Sequence, residues 1–188
     1  MGLKEKKILN SIIFFAAKSS GKKINRLKLM KLLWIADRLH LNKYGRLILK
    51  DSYCAMPHGP VPSETLDLVQ STQEGFFSVK SFDITADSNF NEKYFSHSDL
   101  EIMNLTWDEF GDKDQFLLRD FSHKFPEWKR FEKDLKNNKK PNSYPILMDD
   151  FFLKPSEDLE NFNYHNNEES VLSKLRYQEY NSIQAKLL

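Results

Sequence analysis

Cys54 and His58 stand four residues apart, and a thiol beside an imidazole is the pair from which a nucleophile and its general base are made. A working site would also need an oxyanion donor and a third group to orient the base. Neither is evident in the sequence, so a structural role is favoured over a cysteine hydrolase. His40, His97, His123 and His165 share no spacing that would gather them around a metal ion. The carboxylate clusters Asp149-Asp150 and Glu157-Asp158 read as solvated loops rather than as an acid–base pair. The chain has no glycine-rich phosphate loop, His-Glu-x-x-His helix, Gly-x-Ser-x-Gly elbow or Cys-x-x-Cys pair. The expectation is a non-enzyme without cofactor or metal, for which surface recognition is the simplest remaining task.

A scaffold for recognition needs a core, and 188 residues with 40% apolar and 13% aromatic content, fifteen of them Phe, provide one. A lone cysteine excludes an intramolecular disulfide framework and points to a reducing cytoplasm. The longest apolar runs, Ile12–Ala17 and Leu32–Ala36, are far short of the roughly 20 residues of a membrane span, so no membrane association is expected. The net charge of +1 conceals a basic first third. Residues 1–50 hold 13 Lys and Arg against Glu5 and Asp37, while 51–188 hold 15 basic and 25 acidic groups. Either the two parts neutralise each other within the fold, the reading preferred here, or the basic third meets nucleic acid.

Apolar spacing of three and four predicts a helix over Leu3–Lys18, stopped by Ser19-Ser20-Gly21. A second begins after an Asn25 cap and ends at Gly45, with Leu29, Met30, Leu32, Leu33, Ala36 and Leu39 inward and Lys28, Lys31, Asp37 and Arg38 largely elsewhere. Tyr53–Met56 is extended, and the prolines of Pro57-His58-Gly59-Pro60 and Pro62 forbid a regular helix or central strand. A short helix follows over Ser63–Ser71. Phe82–Ala86 and Lys93–Phe95 suggest a hairpin around Asp87-Ser88-Asn89. Ser98 and Glu101 have capping-box spacing before Leu100, Met103, Trp107 and Phe110. A helix from Asp112 or Asp114 is expected to bury Phe116, Leu117 and Phe121, and one from Pro126 to bury Trp128, Phe131 and Leu135. After the loop of 136–145 and an acidic irregular stretch, a last helix over about 168–187 aligns Leu172, Leu175, Tyr180, Ile183 and Leu187. The fold class expected is a mainly α, compact single-domain helical bundle with a small β-hairpin element.

The run from Lys28 to Asp37, the pair Tyr44-Gly45, the run from Tyr53 to Pro62, and then Phe121-Ser122-His123 before Pro126-Glu127-Trp128 together resemble the Panacea antitoxin domain, also called SocA-like. The resemblance covers about residues 5 to 135. Its strength lies in several separated motifs occurring in one order, with Phe121 where leucine is commoner. It implies a compact helical domain of bacterial or prophage origin and no catalysis. It also implies neutralisation of a cognate protein toxin by direct binding, in one family type by delivery to an ATP-dependent protease. It suggests a core over 1–140 and an extension over 141–188.

Within that frame, partner contact is expected at two places. One is the motif turn Met56, Pro57, His58, Gly59, Pro60 and Val61, for which a rigid positioning role is favoured over direct contact. The other is the extension, where Phe151, Phe152, Phe162 and Tyr164 either stand as exposed anchors on an anionic surface suited to a basic toxin or tuck the tail onto the domain, two readings the sequence weighs equally. A chain cut after about Asn138 is accordingly expected to fold but not to neutralise. A nucleic-acid-binding regulator using the basic first fifty residues is the alternative.

Overall fold

The computed structural model describes residues 1–137, 140–155, 159 and 167–186. In chain order its elements are α1 (Leu3–Lys18), β1 (Lys23–Asn25), α2 (Arg26–Tyr44), β2 (Tyr53–Met56), β3 (Gly59–Pro62), α3 (Ser63–Leu68), β4 (Phe77–Lys80), β5 (Asp83–Ala86), α4 (His97–Phe110), α5 (Gln115–Ser122), α6 (Pro126–Lys129), α7 (Glu132–Lys136), β6 (Tyr144–Pro145) and α8 (Asn167–Lys186). The architecture is mainly α, as expected. Two small antiparallel sheets, ordered β1-β5-β4 and β3-β2-β6, flank the helices.

α2 is the axis of the molecule, with α1, α4, α5 and α8 all packed against it. Asn25 caps it by accepting bonds from the amides of Leu27 and Lys28, and Gly45 ends it in the left-handed region at φ 72. A helix surrounded on every side has no solvated face, and each residue from Leu29 to Asn42 is buried. This corrects the expectation that Lys31, Asp37 and Arg38 lie outside the core.

The hairpin expected over 82–95 is displaced. β5 pairs instead with β4, Phe77 facing Ala86, and β1 adds on its other side with Ile24 opposite Ile84. Residues 92–94 form a 3-10 turn. Asp87-Ser88-Asn89 have the polar composition of a turn, but Ser81, at φ 58, makes the reversal between β4 and β5. The motif prolines do form a strand: β3 pairs with β2 from Tyr53↔Pro62 to Met56↔Gly59 around Pro57-His58. β3 lies at a sheet edge, where a missing proline N–H costs no ladder bond, so the exclusion of a central strand there holds.

α4 is capped by Ser96, not Ser98; the Ser96 hydroxyl accepts from Asp99 N and the Asp99 carboxylate accepts from Ser96 N. α5 starts after Asp114 but turns Leu118 and Ser122 inward, leaving Phe116 and Leu117 exposed, while the half-buried Phe121 packs on Phe110 and Phe125. The single helix expected after Pro126 is split into α6 and α7. Beyond it, β6 pairs with β2, Ile146 N donates to the Tyr53 carbonyl at 2.9 Å, and Met148–Phe152 makes a 3-10 turn. Phe151 (0% exposed) and Phe152 (7%) are core residues, so of the two readings these two follow the one in which the aromatics tuck the tail onto the domain, and neither is an exposed anchor. Phe151 stands edge-on to Tyr53 with ring centroids 5.1 Å apart.

Candidate functional site

The motif residues, dispersed along the chain, meet in the core as one another's partners. Lys31 Nζ donates to the Pro60 carbonyl at 2.7 Å, and burial drives its pKa well down. Gly59, at φ 100, sits where any Cβ would overlap Lys31 Nζ and Ser122 Oγ, so the glycine answers both a backbone and a space requirement. Trp34 Nε1 donates to Glu127 Oε1 at 3.2 Å, and Trp128 Nε1 to the Met56 carbonyl at 2.9 Å. His123 stacks on Trp128 with centroids 3.7 Å apart. Burial, then the charges of Lys31 and Arg119, lower its pKa to about 4.

Asp37 gathers the segment after α2. Its Oδ1 accepts from Ile48 N at 2.6 Å and Leu49 N at 3.1 Å, and its Oδ2 from the Tyr53 hydroxyl at 2.7 Å. Burial pushes its pKa up to about 7 despite those three bonds. Arg38 ties the extension down: one guanidinium nitrogen donates to the Phe151 carbonyl and the other to that of Leu153, at 2.6 Å. It lies 3.4 Å from Glu127 and stacks over Phe125. Burial raises the Glu127 pKa, and the Arg38 charge offsets part of that rise. Asn42 also donates to the Phe151 carbonyl and accepts from Ser170 Oγ, both at 2.8 Å.

Six of the thirteen basic residues of the first fifty, Lys4, Lys7, Lys23, Arg38, Lys43 and Arg46, pair with carboxylates of the same chain, which is part of what the neutralising reading expects. Lys7 lies 2.6 Å from Asp99, Arg46 lies 2.9 Å from the same carboxylate, and Lys43 and Lys4 reach Glu101 and Glu64. Burial alone would raise the Asp99 pKa, but the Lys7 and Ser96 bonds and the two nearby cations hold it below the usual range. His40, between Asp99 and the Arg46 carbonyl, is lowered to about 4, chiefly by burial.

Of the residues expected to meet a partner, Pro57 and His58 are exposed, Met56 is half-buried, and Gly59, Pro60 and Val61 are buried. Phe162 and Tyr164 lie outside the described residues. Cys54 and His58 form no site: the Cys54 thiol accepts from Ser63 Oγ at 3.3 Å, and His58 stands at the hairpin tip. No group of three His, Cys, Asp or Glu that could hold a metal ion occurs among the described residues, nor is any helix there long and apolar enough to cross a membrane.

A groove of about 1030 Å³ lies between the start of α1, the α2–β2 loop and α8. Leu3, Leu47, Ile146, Met148 and Tyr177 give it apolar walls, and Lys4, Arg46, Lys50 and Arg176 set cations along it. Lys50 Nζ stands 3.3 Å from the Tyr180 hydroxyl. The two lining carboxylates are internally engaged, Asp51 by Thr65 and Asp99 by Lys7 and Arg46. The anionic surface expected near residue 150 is reduced accordingly, because Asp150 is buried and bonded twice by Arg130 at 2.6 Å and Asp149 pairs with Lys174. A smaller cavity of about 330 Å³ lies beside the start of α2, among Lys18, Lys23 and Lys28.

Residues 29–129, more than half of the chain, match the family model described as antitoxin SocA-like, Panacea domain, and the chain belongs to that family. No curated protein and no solved structure matches it. The matched span begins inside α2 and ends at α6, so it contains the motif network and the α2–β2 side of the groove, but neither α1 nor α8.

Proposed function

We propose that this protein is an antitoxin that neutralises a cognate protein toxin by direct binding, and that the groove between α1, the α2–β2 loop and α8 holds it. The family match over residues 29–129 carries the reading. The division of the chain into a family core over 1–140 and an extension over 141–188 accords with it. A shared scaffold that meets differing toxins needs a variable surface, and the groove takes α8 and α1 from outside the matched span. The burial of Gly59, Pro60 and Val61 supports a positioning role for that turn and leaves Pro57 and His58 as its surface. Lys50 and Arg176, unlike Lys4 and Arg46, which pair with Glu64 and Asp99, join the groove's apolar walls in suiting a toxin segment with carboxylates beside apolar side chains.

The test is co-expression with the neighbouring reading frame. That frame should arrest growth alone and be harmless beside this chain, and the two products should co-purify. Charge reversal at Lys50 and Arg176 should abolish rescue while the circular dichroism spectrum stays helical. Full rescue by that variant would remove the groove from the reading. Rescue that requires an ATP-dependent protease would make the protein a delivery adaptor. Binding to arbitrary DNA that weakens by roughly 10³-fold or more between 50 and 200 mM salt would instead favour a nucleic-acid regulator.

A further inference from the structure

Among the described residues, three other than glycine hold the left-handed backbone conformation: Lys22 at φ 55, Lys50 at φ 55 and Ser81 at φ 58. A Cβ disfavours that conformation, so each occurrence calls for a local reason. Ser81 turns the β4–β5 hairpin, and Lys22 follows Gly21 in the 3-10 turn between α1 and β1. Lys50 makes no such turn. It lies in the irregular α2–β2 loop, where a glycine would adopt the same φ without strain.

The loop is pinned on both sides of Lys50. Leu49 N donates to Asp37 Oδ1 at 3.1 Å, and the Asp51 carboxylate accepts from Glu64 N at 3.0 Å and Thr65 N at 2.9 Å. Leu49 and Asp51 are buried, while Lys50 between them is exposed and lines the groove. Surroundings that over-determine the backbone in this way are what let a strained residue persist, and such residues cluster where a ligand is held. The strain here fixes the place of a cation. Lys50 Nζ lies 3.3 Å from the Tyr180 hydroxyl of α8 and 5.6 Å from the centre of its ring, partners that leave its charge uncompensated. Lys4, Lys7 and Arg46 of the same groove are paired with Glu64 or Asp99, but among the described residues no carboxylate pairs with Lys50.

We propose that Lys50 is the specificity-determining residue of the groove, a preset cation that meets a carboxylate of the bound toxin segment, with its backbone strain retained for that contact. The inference rests on the toxin-binding reading and assigns the selection of the segment to one residue. On binding, the carboxylate replaces the Tyr180 hydroxyl as the partner of the ammonium. A residue kept for binding against its own backbone preference has a particular signature: its removal weakens binding and does not weaken the fold.

The test compares Lys50→Gly, which removes charge and strain together, with Lys50→Met, which removes the charge alone. Each full chain is titrated with the product of the neighbouring reading frame. Binding should weaken about tenfold or more in both variants. Lys50→Gly should melt about 2–4 °C above Lys50→Met and no lower than the parent chain. Parent-like binding by either variant overturns the inference. So does a Lys50→Gly chain that melts no higher than Lys50→Met, or below the parent, because Lys50 would then serve to hold α8. Lys50→Glu with Arg176→Glu separates the two failures. If that chain loses the product while Lys50→Gly keeps it, the groove stands and this inference alone falls. If that chain binds as the parent does, or if the parent itself does not bind, the groove reading has failed and this inference with it.

Discussion

α2 and α8 are nearly equal in length, at 19 and 20 residues, and they treat polarity in opposite ways. α2 takes Lys31, Asp37, Arg38, His40 and Asn42 into the core and gives each a partner. α8 sets serines against the core and leaves its aliphatics outside. The contrast shows that composition alone does not choose the inward face of a helix. What the neighbouring elements offer chooses it: carbonyls and carboxylates around α2, a glycine and an amide beneath α8.

The largest expected effect comes from breaking the α2 network. Arg38→Ala would leave Glu127 buried without its counter-charge and take the side-chain donor from the Leu153 carbonyl, while Asn42 still serves that of Phe151; a loss of about 3–5 kcal/mol in urea unfolding is expected. Cutting the chain after Asn138 removes β6 and the Phe151 plug, so in contrast to the expectation from sequence the fragment should aggregate or unfold cooperatively at lower denaturant. Leu33→Ala, at a site only 2% exposed, should cost about 2–5 kcal/mol. A loss under about half a kcal/mol would contradict its place in the core.

Smaller and signed effects follow from titration. Asp37 binds its proton more tightly folded than unfolded, so its stabilisation is complete below about pH 4 and is lost as pH rises toward 7. His40 and His123 act the other way; their contribution is complete above about pH 6.5 and is lost as pH falls toward 4. Glu127, its pKa also raised by burial, acts with Asp37 against the two imidazoles, so the clean comparison is between variants: thermal stability should climb more steeply with pH between about 4 and 6.5 in Asp37→Asn than in the parent chain. A shallower slope in that variant would refute the assignment. The smallest change belongs to α8. Leu175→Ser, at a side chain 58% exposed, should alter stability by less than about half a kcal/mol.

Helix positions and caps were legible where local rules act alone, as at Asn25, Gly45 and Asp114. Pairing was not. β5 takes β4 and β1 as neighbours, and nothing in residues 82–95 announces a partner at 23–25. The buried charges left a signal that apolar periodicity hides. Lys31, Asp37 and Arg38 have no oppositely charged residue three or four positions away on their own helix, so a solvent-facing ion pair along α2 was never available to them. The groove is legible only in three dimensions, because Lys4, Arg46 and Arg176 come together from distant parts of the chain.

Arg38 and Asn42 hold the segment after residue 150 through its main-chain oxygens, at Phe151 and Leu153. A clamp that reads peptide carbonyls is indifferent to most of the side chains it receives. Provided that one aromatic fills the Phe151 cavity, tails of other sequence should graft onto this body without redesign of the interior.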